Sequence, residues 1–379
     1  MQILRLQDLC LTEISDGTHK TPTYTEDKIN GYKFLSSKDV TSGKIDWQHL
    51  KYIPTELHKE LYARLAPKVG DILLAKNGTT GVAAIVDRDE VFDIYVSLAL
   101  IRPDKSKVIP KYLLYAINST PSKEFFNKNL KGIGVPNLHL KHIRETPIRV
   151  PSLFEQEHII AVLDKVYDLI DQRKEQLKQL DDLVKSRFIE LFGMPGSDTN
   201  GWGITTLGSV CQVNPKKGQD KRLVGDLEVS FVPMPAVSER GEIDPSEVRV
   251  YDTVKTGFTY FAENDVLFAK ITPCMENGKG AVARGLHNSI GFGSTEFHVL
   301  RPLQGKTDPY WIYTLTSFSE FRSDAASNMT GSAGQRRVPA NFLEQYRVSV
   351  PPIQLQEQFA TFVEQTDKLK YCGDRGVAA

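Results

Sequence analysis

Polar and basic side chains of this sequence gather in segments that also contain glycine, which marks loops. Lysine and threonine suit contacts with phosphate, whereas arginine can bond both acceptors of guanine, and asparagine or glutamine can pair in the same way with adenine. These residue types are suited to contacts with duplex DNA. The candidate contact residues are Lys76, Asn77, Thr79, Thr80, Asn137, His139, Lys141, Lys216, Lys217, Lys270, Thr272, Gln335, Arg336 and Arg337.

A single polar residue in a loop carries little weight, because most such side chains are simply solvated. The prediction rests instead on recurrence. Lys76 ends the stretch Gly-Asp-Ile-Leu-Leu-Ala-Lys, and Lys270 ends the related stretch Asn-Asp-Val-Leu-Phe-Ala-Lys. Both stretches lead into polar residues, so two parts of the chain place loops of similar character after the same kind of strand.

Catalytic motifs are incomplete wherever the sequence approaches one. The Gly-Lys-Thr of residues 305–307 resembles the end of a phosphate-binding loop, but Leu300 stands where the first glycine is needed. The Asn-Pro-Lys-Lys of residues 214–217 lacks the second proline and the aromatic residue with which amino-methyltransferases hold a flipped base. No His-Glu-x-x-His pair occurs. The sequence therefore predicts a chain that is not an enzyme and that binds no metal or cofactor itself.

Composition narrows the class of protein further. The chain has 379 residues, of which 40% are hydrophobic and 25% charged, as in ordinary globular proteins of two or three domains. The formal net charge is zero, which argues mildly against a nucleic-acid binder but leaves room for a local basic surface. The four cysteines form no Cys-x-x-Cys pair, which argues against a disulfide framework and a zinc site.

Two features concern location. No apolar run approaches the roughly 18 to 20 residues that a membrane-spanning helix needs. The N-terminal residues, Met-Gln-Ile-Leu-Arg-Leu-Gln-Asp, lack the layout of a signal peptide. Together these features predict a cytoplasmic protein.

Residues 1–150 and 201–350 read as two divergent copies of one domain. Matching segments recur in the same order, which indicates internal duplication rather than coincidence. The matched pairs are Leu6 and Cys10 with Leu207 and Cys211, 70–76 with 264–270, 97–103 with 296–302, 110–115 with 308–313, and 132–151 with 331–351.

Each copy predicts an α+β domain of short, mostly antiparallel strands with one helix opened by a proline. A polar loop and a last strand follow that helix. The predicted strands are 71–75, 82–86, 97–101 and 146–150 in the first copy, and 266–269, 281–283, 295–300 and 346–350 in the second. The predicted helices begin near residues 110 and 309.

A long helix is predicted between the copies, at residues 153–192. Apolar residues recur there at steps of three and four over more than four heptads, which is the pattern of a coiled coil. Ser152 and Glu155 form a capping box at its start, and Gly193 closes its end. A second helix begins after Pro351 with a related sequence, so the two helices are expected to pair within the molecule, antiparallel or crossed. The predicted helix-interface residues are Ile159, Leu163, Val166, Ile170, Leu177, Leu180, Val184, Phe359 and Val363.

The second helix keeps its pattern only to about Lys370. Because it is shorter than the first, residues from about Leu177 to Leu191 are expected to lack a partner within the chain. The sequence is therefore interpreted as truncated or frame-shifted at its C-terminus. Self-association through the uncovered seam is the expected consequence.

The duplication, the twin helices and the loops together resemble the DNA specificity subunit of a type I restriction–modification system. The resemblance covers about residues 1–371. It is carried by the Gln-Glu helix starts after Pro151 and Pro351, by the strand that begins at Gly70, and by the Gly-Ser-Ala-Gly-Gln loop at Gly331. It implies two similar mixed α/β target-recognition domains separated by long coiled-coil-forming helices, related as a pseudo-two-fold internal repeat.

The resemblance also implies partners and a division of labour. Each target-recognition domain would read one half of a split site in double-stranded DNA, and the helices would act as a ruler between them. Two modification (methyltransferase) subunits would dock on the helices, and restriction subunits would join that core. Adenine-N6 methylation and ATP-dependent cleavage would belong to the assembled complex, with S-adenosylmethionine, ATP and Mg on the partner subunits.

The expected boundaries follow from the repeat and the helices. The first target-recognition domain is expected at 1–150, and the second at 204–350, with a spacer helix at 151–193 and a linker at 194–203. A second spacer helix is expected at 351–371, and a disordered tail at 372–379.

Two other classes of function stay open from the sequence. The chain could be an assembly scaffold that binds proteins through its helices, or a nuclease or methyltransferase whose residues come together only in space. Binding of duplex DNA that weakens with salt would separate a DNA reader from a scaffold, and turnover by the isolated chain would reveal an enzyme.

Overall fold

The computed structural model describes residues 2–40, 43–78, 80–130, 136–332 and 334–372. The predicted contact residue Thr79 and nearly all of the predicted tail, 372–379, lie outside these ranges. The chain forms two compact units, Met1–Asp171 and Gln172–Ala379, whose division falls inside the long helix.

The first unit contains two small sheets and a separate strand pair. Its strands are β1 (Gln2–Arg5), β2 (Ser15–Asp16), β3 (Tyr32–Leu35), β4 (Lys51–Ile53), β5 (Ile72–Ala75), β6 (Ala83–Ile85), β7 (Phe92–Ile94), β8 (Leu98–Ile101) and β9 (Pro147–Val150). The sheets have the strand orders β2-β8-β5-β6 and β4-β3-β7, and β1 pairs with β9. Its helices are α1 (Thr55–Arg64), α2 (Pro110–Asn118), α3 (Thr120–Asn129), α4 (Leu140–Glu145) and the first part of α5 (Leu153–Phe192).

The second unit repeats this plan. Its strands are β10 (Ile204–Thr206), β11 (Cys211–Val213), β12 (Glu228–Val232), β13 (Val248–Val250), β14 (Thr259–Ala262), β15 (Val266–Ala269), β16 (Gly280–Val282), β17 (Ile290–Gly293), β18 (Phe297–Pro302) and β19 (Arg347–Ser349). The sheets have the orders β11-β18-β15-β16 and β13-β12-β17-β14, and β10 pairs with β19. Its helices, besides the last part of α5, are α6 (Tyr251–Val254), α7 (Pro309–Ser317), α8 (Ser319–Ser327), α9 (Ala340–Gln345) and α10 (Ile353–Cys372).

Apart from one additional strand in the second unit, the two units share their topology, which confirms the predicted duplication and the α+β fold class. In each unit a hairpin, β5-β6 or β15-β16, pairs with a further strand, β8 or β18, in antiparallel orientation. In each unit one parallel pair, β3-β7 or β12-β17, lies in the other sheet. The second unit adds β14 to that sheet.

The predicted central strands are buried on both faces, which explains their uninterrupted apolar sequence. Ile72 and Leu74 of β5 enter one hydrophobic core with helix α2, whereas Leu73 enters a second core with residues of the other sheet. Val266 and Leu267 of β15 divide in the same way between two cores. These strands therefore tie each unit's two layers together.

A buried ion pair is repeated beside these strands. Arg102 donates to both carboxylate oxygens of Asp71 at 2.9 and 2.7 Å. Arg301 donates to both oxygens of Asp265 at 2.7 and 2.6 Å. Both aspartates open the central strand and both arginines end the next one, so the pair fixes the register of β5 with β8 and of β15 with β18.

One matched segment was aligned one residue out of register. Residues 110–115 were paired with 308–313, but α2 begins at Pro110 and α7 begins at Pro309. The main-chain N–H groups before these prolines, of Ile109 and Asp308, also have equivalent partners. The helix starts therefore set the register, because a proline at the first helical position lacks only an N–H that would have no partner there.

The long predicted helix is confirmed as one element, α5. Its capping box is present, since the Ser152 N–H donates to the Glu155 carboxylate at 2.9 Å and the Glu155 N–H donates to the Ser152 hydroxyl at 3.3 Å. At its end Gly193 adopts a positive φ of 80° and its N–H donates to the Ile189 carbonyl at 2.8 Å. Within the described residues no helix is long and apolar enough to cross a membrane.

Pairing of α10 with the end of α5, inside the second unit, is antiparallel. Phe359 near the start of α10 contacts Phe188 and Phe192 of α5 with ring centroids 5.6 and 5.4 Å apart. At the other end of α10, the Lys370 ammonium lies 2.8 Å from the Asp181 carboxylate, and the Lys370 carbonyl accepts from Arg173. The predicted pairing within the molecule is therefore confirmed.

The expectation that residues from Leu177 to Leu191 lack a partner is wrong. Val184 is buried and Leu191 packs against the same core, which also contains Val363 of α10. Antiparallel pairing is the reason, because it brings the start of the shorter helix against the end of the longer one. Among the predicted interface residues of α5, those left exposed lie earlier in the helix, at Val166 and Ile170.

Candidate nucleic-acid interface

Two polar loops of the first unit are joined by main-chain hydrogen bonds. The Leu138 N–H donates to the Lys76 carbonyl at 2.8 Å, and the Gly78 N–H donates to the Pro136 carbonyl at 3.2 Å. Between these bonds Asn77 and Asn137 lie opposite each other. The loop after β5 and the segment before α4 therefore form one surface, which we call the first loop pair (residues 76–78, 80–81 and 136–139).

The second unit builds the same arrangement from different side chains. The Val338 N–H donates to the Lys270 carbonyl at 2.9 Å, and the Thr272 N–H donates to the Arg336 carbonyl at 3.0 Å. Ile271 and Arg337 lie opposite each other. This is the second loop pair (residues 270–273 and 335–338). The equivalent positions are thus Lys76 with Lys270, Asn77 with Ile271, Pro136 with Arg336, and Asn137 with Arg337.

Lys76 is not free to contact phosphate. Its side chain is buried, and its ammonium lies 3.0 Å from a carboxylate oxygen of Asp16 on β2. The other oxygen of that carboxylate lies 3.1 Å from Nε2 of His19. A buried charge needs a counter-ion near it, so this lysine holds the sheet edge together, and we withdraw it from the contact residues.

Lys270 has the equivalent place but a different counter-ion. Its side chain is about half-buried, and burial lowers its pKa, with Arg337 adding to the shift and Glu296 opposing it. Glu296 occupies the position of Ser97, because the N–H groups of Lys270 and Lys76 donate to the carbonyls of these two residues at 2.9 Å. The carboxylate therefore comes from the turn before β18 in the second unit, and from β2 in the first.

Arg337 is held by the same carboxylate. Its Nε and Nη2 donate to the two oxygens of Glu296 at 2.9 and 2.8 Å, and its Nη1 donates to the Gln335 carbonyl at 3.0 Å. Hydrogen bonding to Arg337 lowers the pKa of Glu296, which keeps the carboxylate ionised. The Arg337 guanidinium thus has most of its donors occupied within the protein.

The remaining predicted contact residues differ in availability. His139, Lys141, Lys216, Gln335 and Arg336 are exposed. Asn77, Thr80, Asn137, Lys217 and Thr272 are partly exposed. Within the second set, the Lys217 ammonium donates to the Lys255 carbonyl and the Thr272 hydroxyl donates to Glu276. Lys141 lies in helix α4 and not in a loop, because that helix begins directly after His139.

Asn77 and Asn137 share an unusual feature. The side-chain oxygen of each is buried and accepts no hydrogen bond within the part of the chain that the structure describes. Each amide would have to turn outward to offer adenine both its donor and its acceptor, and with that change the asparagine pair is the candidate base contact of the first loop pair.

Sequence reasoning missed the acidic residues at this site. Asp16 and Glu296 were not singled out, although each sets the geometry of a candidate contact residue. The repeat alignment did place Glu296 opposite Ser97, and a charge gained at one repeat position together with a nearby arginine was a usable signal. Asp16 gave no such signal, because its partner Lys76 is distant in sequence.

His298 is buried and has a structural role in the core. Its Nε2 lies 2.8 Å from the Val338 carbonyl, so that nitrogen carries the proton and Nδ1 accepts from the Asn214 amide at 3.0 Å. Burial lowers its pKa. In the described segments no three His, Cys, Asp or Glu side chains come together as metal ligands would.

The sequence matches one known protein family over most of its length. The family model of the type I restriction modification DNA specificity domain matches residues 1–180 and 199–371. The match includes both loop pairs and most of both helices. The chain therefore belongs to this family of DNA specificity proteins.

Two similar proteins from Escherichia coli are also specificity subunits of type I restriction enzymes. The EcoAI specificity subunit of a type I restriction enzyme from Escherichia coli is 40% identical over 160 residues, which cover 42% of this chain and 27% of that protein. The EcoEI specificity subunit from Escherichia coli is 40% identical over 153 residues, or 40% of this chain and 25% of that protein. The chain thus spans only about a quarter of the length of these two relatives.

Longer matches are more distant. The putative MjaX specificity subunit from Methanocaldococcus jannaschii is 23% identical over 396 residues and covers 97% of this chain and 87% of that protein. The crystal structure of a type I restriction-modification system S subunit from M. genitalium superposes with a TM-score of 0.50 at 13% identity, covering 99% of this chain and 91% of that one. This likeness supports the fold.

Proposed function

We propose that this chain is the DNA specificity subunit of a type I restriction–modification complex and does no chemistry itself. One observation carries the proposal: the two units hold equivalent loop pairs on the same main-chain hydrogen bonds but present different side chains. A constant scaffold with variable side chains suits two readers of different base sequences. The bipartite DNA site would then consist of two unlike halves.

Partners would supply the chemistry. Modification (methyltransferase) subunits and restriction subunits would bind this chain and bring S-adenosylmethionine, ATP and Mg. A subunit with this function would work in the cytoplasm, where the DNA and these partners would be. The exposed apolar side chains Val162, Val166, Leu169 and Ile170 of α5, which are 42 to 64% exposed, offer a docking surface for a partner helix or sheet.

Selection from random DNA tests the reading function. The full chain, alone and with its modification partner, would be incubated with duplexes that have a randomised centre, and the bound fraction sequenced. We expect two separated groups of enriched bases, and an affinity that falls as salt rises because phosphate contacts release counter-ions. Salt-independent binding, or binding without any enriched sequence, would contradict the proposal and favour a protein-binding scaffold.

Substitution of the exposed α5 side chains tests docking separately. Val166→Asp combined with Ile170→Asp places two charges on the surface and should reduce copurification of the modification subunit at least tenfold, while DNA binding by the isolated chain persists. Gln176→Asp, at an exposed position of the same helix, serves as the matched control. Unchanged copurification of the double variant would move the docking surface elsewhere.

A further inference from the structure

The second loop pair ends in a short turn whose main chain is fixed from several sides. The N–H and carbonyl groups of Thr330 and Arg337 bond each other at 3.0 and 2.8 Å, and the Gln335 N–H donates to the Ser332 carbonyl at 3.0 Å. The Arg336 carbonyl accepts from Thr272. Main-chain hydrogen bonds therefore hold Gln335 and Arg336 at the end of this turn, and we call these two residues the reading tip.

The two side chains of the reading tip point to solvent, whereas the next side chain is held within the protein. Gln335 and Arg336 are exposed, and in the described part of the chain the Arg336 guanidinium has no hydrogen-bond or ion-pair partner. Arg337 instead forks onto Glu296 and bonds the Gln335 carbonyl. One arginine is available to a ligand, and its neighbour is used to fix the loop.

The first unit has the same main-chain arrangement but lacks the ion pair between Arg337 and Glu296. Ser97 takes the place of Glu296, and Asn137 takes the place of Arg337. The Ser97 hydroxyl accepts from the Ser37 N–H at 3.0 Å and reaches no guanidinium. Carboxylate and arginine thus occur together in one unit and are replaced together in the other, which indicates that they act as a pair.

We propose that Arg336 reads a guanine in one half of the DNA site, and that Arg337 is a positioning residue, held by Glu296, that contacts no base. Arg336 has the free, planar donor set that matches the two major-groove acceptors of guanine. Arg337 pre-organises the tip, so that less conformational entropy is lost when DNA binds. The inference rests on the proposed function and assigns roles within it.

Removal of Glu296 distinguishes the two possible roles of Arg337, because the two roles predict opposite changes in the affinity for the selected DNA sequence. If Arg337 contacted DNA, Glu296→Ala would release it and remove a repelling carboxylate, so specific binding would tighten. If Arg337 positions the tip, the same change loosens Gln335 and Arg336. Binding to unrelated DNA would then rise slightly, whereas preference for the selected sequence would fall.

The experiment uses the full chain and the duplex selected from a randomised pool, compared with a shuffled duplex at several salt concentrations. We expect Arg336→Ala to lower discrimination at one guanine position about tenfold or more. Arg337→Ala and Glu296→Ala should each lower the ratio of specific to non-specific affinity by about tenfold. Arg337→Ala should leave the salt slope unchanged, because no phosphate contact is lost.

Three further variants guard against a general loss of structure. Arg337→Lys keeps the charge but not the fork, and should lose preference like Arg337→Ala. Glu296→Ser combined with Arg337→Asn installs the residues that the first unit has at these positions. This double variant should fold and should still lose preference for the selected sequence. Arg249→Ala, which removes an arginine of β13 that lies 2.6 Å from the Glu247 carboxylate, should leave sequence preference unchanged.

The possible failures can be told apart. If the unaltered chain enriches no sequence, the proposed function fails, and this inference fails with it. If the unaltered chain enriches a sequence but Glu296→Ala tightens specific binding, or Arg337→Ala lowers the salt slope, Arg337 itself contacts DNA. Either of these results overturns the assignment while the proposed function stands.

Discussion

Asp220 shows how one carboxylate organises a loop of the second unit. Arg222 donates from Nε and Nη2 to its two oxygens at 2.9 and 2.7 Å, and the Tyr260 hydroxyl donates at 3.0 Å. The Arg222 hydrogen bonds, acting against burial, lower the pKa of Asp220 to about 2. The carboxylate thus links the basic loop that begins at Lys216 to strand β14.

This lowered pKa predicts how stability responds to acid. An unfolded aspartate titrates near 3.9, so the contribution of Asp220 is fully present above about pH 4 and is lost as the pH falls toward 2. Asp220→Asn should lower the free energy of unfolding at pH 7 by about 1 to 2 kcal/mol, reduced from the full linkage value because Arg222 is half exposed.

Urea unfolding of both proteins between pH 7 and pH 2.5 measures this effect. The difference in unfolding free energy should narrow across the window from pH 4 downward. Asp226→Asn, at an exposed position in the same loop, should show no such trend. A difference that grows as the pH falls would mean that the Arg222 pair does not set this carboxylate's titration.

Single residues also mark where sequence reasoning ended. The sequence identified Lys76 and Lys270 as equivalent, because the strand before each has a recognisable pattern. It could not show that Lys76 is buried, because its counter-ion Asp16 belongs to a strand of two residues with no pattern of its own. Ion pairs between distant segments are set by tertiary packing, and local spacing does not reveal them.

At the level of elements, a glutamine fixes the start of each long helix. Gln356 is fully buried; its carbonyl oxygen accepts from the Asp308 N–H at 2.9 Å, and its amide donates to the Lys306 and Pro351 carbonyls at 3.0 and 2.8 Å. Gln156 makes the equivalent three bonds in the first unit. The Gln-Glu signature of these helix starts is thus explained by a structural need of the fold.

Removing either amide should destabilise its unit. Gln356→Ala leaves three main-chain groups without their partner, so we expect a loss of about 2 to 3 kcal/mol in the free energy of unfolding. Gln354→Ala, at an exposed position of the same helix, should change it by less than about 0.5 kcal/mol. Chemical denaturation of the two variants measures this difference. Equal losses in the free energy of unfolding would show that the buried amide does not stabilise the unit.

The helices illustrate what periodicity can and cannot give. The three-four spacing located α5 and its caps correctly, because those signals are local. It did not reveal which stretch of the longer helix would be covered. Phe188 and Phe192, which form the contact with Phe359, were not in the predicted seam, since aromatic side chains at the end of a helix can turn toward a neighbouring core that the heptad pattern does not describe.

For the whole molecule, the repeat was the most informative signal. It gave the duplication, the fold class and three of the four strands of one sheet in each unit, all of which the structure confirms. It did not give the second sheet, with β3, β4 and β7 in the first unit. Those strands have three or four residues and pair with partners far away in the sequence, so their stability comes from tertiary contacts rather than from local propensity.

The duplication predicts that the two loop pairs act on separate bases. Asn137→Ala and Arg336→Ala, each in the full chain, should relax the selected sequence in different halves of the site, with a loss of about 1 to 3 kcal/mol at the affected positions. Sequencing of duplexes bound by each variant measures this. Relaxation at the same base pairs by both variants would contradict the assignment of one half to each unit.

The switched counter-ion has a consequence for recombination between such genes. Consider a hybrid unit in which the segment up to and including β2 comes from the first copy and the remainder from the second. Two carboxylates, Asp16 and Glu296, would then lie beside one lysine. The reciprocal hybrid would inherit neither, because β11 carries no acid and Ser97 replaces the glutamate. Viable shuffling is therefore expected to exchange entire repeats, with crossover points before β2 or beyond β8.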